Sequence, residues 1–109
     1  MVKKNSEIKK ILGDYKVELK KHGIRVQKMV LYGSYARGNP KSYSDIDVVV
    51  ISSDLAKFSA LKRQEFLAKR TISVDAPLGV IGYTPAELDK AKDSIFGQII
   101  RETGIVFKE

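Results

Sequence analysis

Two aspartates, Asp45 and Asp47, stand one residue apart at the head of an otherwise apolar run, Val48-Val49-Val50-Ile51. Such a run reads as a strand buried on both faces. Residues i and i+2 of a strand face the same way, so the two carboxylates converge while Ile46, Val48 and Val50 point to the other side. At ~6 Å they repel by roughly 3 kcal/mol at an effective dielectric near 20, a liability beside a core if nothing meets them. A divalent cation offsets that repulsion, and Mg²⁺ takes a couple of carboxylates together with phosphate oxygens and water. The competing reading is a pair of exposed aspartates, ion-paired to lysines for little gain.

Eleven residues upstream of Asp45, Gly33-Ser34 follows one strand signal and precedes "YARG", which reads as a short helical turn. Glycine lets backbone approach a ligand closely, and a helix start offers free N–H groups to phosphate. The spacing is neither a dinucleotide fingerprint nor a Walker A loop, and a plain strand-to-helix turn explains the glycine equally well. Two-metal phosphoryl transfer asks for a further carboxylate near the attacking group. Of seven aspartates and six glutamates, only Asp75 falls on a third predicted strand, "TISVD" at 71–75. Its alternative is a turn aspartate ahead of Ala76-Pro77.

The elements that must position these groups alternate. A first helix is expected from Ser6, with Ile8, Ile11, Leu12, Tyr15 and Leu19 as its apolar stripe and Gly23 as its stop. His22 at its end reads as a helix-terminus charge partner. Strands are expected over 25–32 and 46–51, with a helix capped by Ser53 or Asp54 running to Arg70 between the second strand and "TISVD". Pro77 ends or bulges that third strand, and "GVIGY" at 79–83 resumes the pairing. "TPAEL" at 84–88 starts a helix with a capping box and proline at its first position. Leu88, Ala91, Ile95 and Ile99 form its apolar face to Gly104, and "IVF" at 105–107 reads as a short last strand. Helices and strands in this order give an α/β or α+β fold around a small sheet.

Composition sets the outer limits. The chain of 109 residues is expected to form one domain over 1–109. It has no cysteine, which excludes disulfides and thiolate metal sites. No apolar run approaches the ~20 residues of a membrane span, and "MVKKNSEIKK" lacks a signal-peptide centre. A soluble, cytoplasmic protein is therefore expected. The formal net charge of +7 attracts polyanions. Its lysines are not interleaved with aromatics, however, so a solvated surface accounts for them and nucleic acid is not expected as a direct substrate.

The segment "GSYARGNPKSYSDIDV" resembles the signature of the nucleotidyltransferase superfamily with a polymerase β-like palm: Gly-Ser, ten residues, then Asp-x-Asp. Gly33-Ser34, the ten residues Tyr35 to Ser44, and Asp45-Ile46-Asp47 match it without a gap. The chain's brevity, "VIGYTPAEL" and "IIRETGIVF" look most like the minimal nucleotidyltransferases, so the resemblance covers most of 25–107. It implies a small mixed sheet flanked by helices, with two Mg²⁺ held by Asp45 and Asp47 and shared with Asp75, which would activate the acceptor. It also implies Gly33 and Ser34 on the triphosphate of ATP. Arg37, one turn beyond Ser34, is placed to reach a phosphate unless it is an ordinary surface arginine. Lys41, in the loop "GNPKSYS", is a weaker candidate. Minimal members commonly pair with a helical HEPN-type toxin, so the implied chemistry is adenylylation of a toxin tyrosine. The alternatives are neutralisation by contact alone and transfer to a small molecule of aminoglycoside type; a homo-oligomer is also compatible.

Overall fold

The computed structural model describes residues 3–107. Its sheet has four strands: β1 (Lys28–Tyr32), β2 (Ile46–Ile51), β3 (Leu78–Tyr83) and β4 (Ile105–Phe107). The spatial order is β3-β2-β1-β4, with β2 and β3 parallel and the other pairs antiparallel. This is the small mixed sheet flanked by helices expected from the sequence.

One face carries Met29, Leu31, Ile46, Val48, Val50 and Val80 against α1 (Asn5–Lys21) and α3 (Ala60–Arg70). Ile8, Leu12, Tyr15 and Leu19 of α1 are all buried, so its stripe falls where the 3.6-residue period puts it. Tyr15 donates from its hydroxyl to the Leu67 carbonyl at 2.8 Å, which satisfies the one polar atom of a fully buried ring. The opposite face carries Val30, Val49 and Ile51 against Ile100, Leu88 and Phe96 from α4 (Pro85–Lys90) and α5 (Ile95–Thr103). A four-residue α2 (Ser34–Arg37) follows β1 directly.

Several expected elements are divided or displaced, each for a local reason. β1 starts at Lys28 rather than at residue 25; upstream of it, the Ser52 hydroxyl donates to the Arg25 carbonyl at 2.6 Å and Asp54 accepts from the Arg25 N–H at 2.9 Å. The helix expected from residue 53 to 70 splits into a 3₁₀ segment, Ser53–Lys57, and α3. Phe58 between them is extended, and the Ser59 side chain accepts from the Lys62 N–H to start α3 afresh. The long C-terminal helix splits too, because Ser94 caps α5 by accepting from the Gly97 N–H at 3.0 Å. That turn leaves Ile95 80% exposed, although the helical reading had placed it inside. "TISVD" is not a strand: Thr71–Ser73 is a 3₁₀ turn, and β3 begins only after Pro77, whose carbonyl accepts from the Ile46 N–H at 2.8 Å.

The open edge of β3 is covered by α3. Gln64 donates to the Val80 carbonyl at 2.6 Å and Arg63 to the Gly82 carbonyl at 3.3 Å, occupying edge groups that would otherwise invite another strand. Arg63 is buried and bidentate to Glu87, at 2.5 and 3.2 Å. Glu87 also accepts from the Thr84 N–H at 2.8 Å and so closes the α4 capping box. The Arg63 hydrogen bond, the Thr84 backbone and the Arg63 charge together lower the Glu87 pKa from its ordinary value of 4.5. A lowered native pKa stabilises the fold above the unfolded value and loses that contribution as pH falls through the native one. Glu87→Gln should therefore cost about 1–2 kcal/mol at neutral pH, the value of a charge-assisted pair discounted for partial exposure. Urea unfolding midpoints should show the gap to wild type narrowing as pH drops below 4.5.

Candidate active site

β2 is flanked on both sides at its start, and the site grows from that position. Asp47 faces Tyr32 across the antiparallel pair and Gly79 across the parallel pair. It shares a face with Val49 and Ile51, as strand alternation requires. Two glycines hold its carboxylate. A β-carbon at Gly33 would collide with Oδ2, and one at Gly79 would stand 3.0 Å from Oδ1. Gly33 also has φ 76° and ψ −154°, a region that residues with a β-carbon essentially do not enter. This backbone turns the chain from β1 into α2 directly over the aspartate.

Asp45 precedes β2 and is exposed, whereas Asp47 is half-buried. A reciprocal turn leads into them: Lys41 N–H donates to Ser44 Oγ at 2.8 Å, and Ser44 N–H to the Lys41 carbonyl at 3.0 Å. Gly33, Ser34, Arg37, Asp45 and Asp47 line one cleft of about 470 Å³, together with Tyr32, Ser44, Phe96 and Ile99. The structure therefore brings five of the six singled-out residues together. Asp75 is not among them: it is exposed, lies in the turn before β3, and does not line the cleft. Lys41 stays in the exposed loop. His22 sits at the α1 terminus against Glu18, 3.5 Å from its carboxylate.

Burial first and the Asp45 charge second raise the Asp47 pKa, and Arg37 pulls it down. Tyr32 is pushed up to about 12 by burial and by Asp47 and Tyr83, so its phenol is neutral at physiological pH. Its ring meets Phe96 edge-on at 5.2 Å. Tyr32, Phe96 and Ile99 form an apolar wall that the sequence reading missed. Tyr32 could have been found from its place beside Gly33 and one strand repeat after Val30. Phe96 and Ile99 could not, because their direction depends on the break at Ser94.

The donors fit a hard divalent cation. Two carboxylates converge in one cleft, one of them partly withdrawn from water, and phosphate oxygens and water would complete such a coordination shell. Among the described residues, no group of three or more His, Cys, Asp or Glu side chains is close enough to hold a metal. No helix among them is long and apolar enough to cross a membrane.

A family profile described as "Nucleotidyltransferase domain" matches residues 6–100. A Methanocaldococcus jannaschii protein, provisionally named a protein adenylyltransferase, is 51% identical over 45 residues. The match takes in 41% of this chain and 51% of that protein, about half its length. The crystal structure of a provisionally named nucleotidyltransferase from Sulfolobus solfataricus superposes with a TM-score of 0.64 at 17% identity, over 100% of this chain and 92% of the other. A toxin–antitoxin crystal structure with AMP-PNP gives 0.61 at 21% identity, over 90% and 70%. The structural likenesses establish the shared fold.

A raised native pKa means the ionised Asp47 opposes folding, a cost that grows as pH rises from the ordinary 3.8 through the native value. In chelator-containing buffer at pH 7, Asp47→Asn should therefore melt above wild type, and the difference should shrink toward pH 3.8; a lower melting temperature would contradict the electrostatic account. Gly33→Ala should lose about 1–3 kcal/mol from backbone strain alone, read as a shift in the denaturation midpoint.

Proposed function

This chain belongs to the nucleotidyltransferase domain family, and from that premise we propose that it transfers AMP from ATP to a hydroxyl, that of a tyrosine on a HEPN-type helical toxin, and so serves as an antitoxin in the cytoplasm. The observation that carries the reading is the opening of Asp45 and Asp47 into the cleft that Gly33, Ser34 and Arg37 line. Support for the acceptor comes from a relative named for protein adenylylation and from the fold shared with a toxin–antitoxin chain.

Asp45 and Asp47 would hold magnesium, which when bound supplies charge neutralisation and Lewis acidity at the triphosphate. The protein's own contribution is placement. Ser34 and the Gly33 backbone bind phosphate oxygens, and Arg37 adds a charge-assisted contact in the same cleft. Tyr32, Phe96 and Ile99 provide the apolar wall that ligand sites set beside a few polar groups. The cleft is shallow for a whole nucleotide and acceptor. Ile95, one turn before Ile99, is 80% exposed, which supports a partner covering this rim.

Calorimetric titration of ATP with and without Mg²⁺ tests the reading. Wild type should bind only with the metal, and Asp47→Asn should bind about 100-fold more weakly, the loss of a ligand worth a few kcal/mol. Arg37→Ala should weaken binding by about 10-fold, the value of one charge-assisted hydrogen bond. With α-labelled ATP and a helical protein encoded beside this one, label should move to a tyrosine. Neutralisation of that protein without nucleotide would assign a contact mechanism instead.

A further inference from the structure

The carboxylates of the cleft suit one divalent cation, although the resemblance had implied two. Paired cations stand about 3.5–4 Å apart and clamp both the attacking and the leaving oxygen, so their combined charge needs a ligand set to match. Among the described residues, only Asp45 and Asp47 bring carboxylates into the cleft, and Arg37 already puts a positive charge there. The position from which a third carboxylate would reach Asp47 is identifiable. Gly79 is its direct partner on β3, on the same face of the sheet, and a β-carbon there would point at Asp47 Oδ1 from 3.0 Å. No side chain leaves that position. Asp75, four residues earlier, is turned out to solvent before the strand begins.

We propose that this cleft binds its nucleotide with a single divalent cation on Asp45 and Asp47, and that Gly79, by leaving the neighbouring strand position without a carboxylate, withholds the second cation site. The proposal rests on the cleft being a nucleotide site, and it deepens that reading: the chain contributes the triphosphate half of a two-cation centre. The acceptor half has no carboxylate among the described residues to take up the hydroxyl proton. An acceptor whose hydroxyl is already acidic, such as a phenol near pKa 10, needs such a base less than an alkyl alcohol does.

The test counts cations rather than turnover. Full-length protein saturated with AMP-PNP is dialysed against Mn²⁺, and bound Mn²⁺ is measured per protein-bound nucleotide. Wild type should hold one, and Gly79→Asp should hold two. Two cations on wild type, with nucleotide retained, would overturn the proposal while leaving the nucleotide reading intact. Failure to retain nucleotide at any Mn²⁺ concentration would sink both. The wild-type count decides on its own if crowding against Asp47 keeps Gly79→Asp from folding.

Discussion

The carboxylate of Asp47 occupies a slot that exists only because two neighbouring backbones carry no side chain there. Gly33 closes over one oxygen and Gly79 lies beside the other. Much of the architecture serves to bring those glycines to it. β2 must run between β1 and β3 for Asp47 to have a neighbour on each side. The β2–β3 pair must be parallel, which demands a crossover long enough to hold a helix. That helix, α3, then fastens the far edge of β3 through Gln64 and Arg63, so the strand bearing Gly79 is held from both sides. The Arg63–Glu87 pair continues the same restraint into α4.

The slot makes Asp47 electrostatically expensive, and the surroundings leave that cost in place. Burial and Asp45 both push against its ionisation, and only Arg37 favours it. Tyr32, its cross-strand neighbour, stays neutral and cannot compensate. A protein with a formal net charge of +7 has cations to spare, yet among the described residues Arg37 is the only lysine or arginine that lines this cleft. An anionic hollow in a basic chain suits the proposed metal–nucleotide complex through both components: the carboxylates would act on the cation at short range, and the net charge on the phosphates at long range.

Much of this was legible in the residues because the relevant signals are local. The Gly-Ser turn, the ten-residue spacing and Asp-x-Asp lie within a single hairpin-like excursion from β1 to β2, and antiparallel neighbours close in sequence fix their own register. The stripe of α1 and the capping box at Thr84 were equally readable, being set within one or two helical turns. What failed was continuity. Ser59 and Ser94 restart helices that apolar periodicity alone would run through, since a hydroxyl accepting an N–H three residues on competes with the preceding turn for the backbone. The misplacement of Ile95 and Ile99 as core residues follows from the second of these breaks.

The third strand shows where sequence reading reaches its limit. "TISVD" alternates as a strand should, and β-branched residues favour that assignment. "LGVIGY" has two glycines, which weaken a strand interior, yet it is the segment that pairs with β2. The decision is made at a distance. Gly82 leaves room for Leu67 and Leu55, whose methyl groups would lie 2.6 and 2.9 Å from a β-carbon there, and Gly79 leaves room for Asp47. Both glycines are costs within β3 considered alone and necessities once α3 and β2 are packed against it. The glycines that weaken this segment as a strand by local propensity are therefore what allow it to pair beside the aspartate, as its expected pairing at 79–83 requires, and Gly79 in particular leaves no side chain between β3 and Asp47.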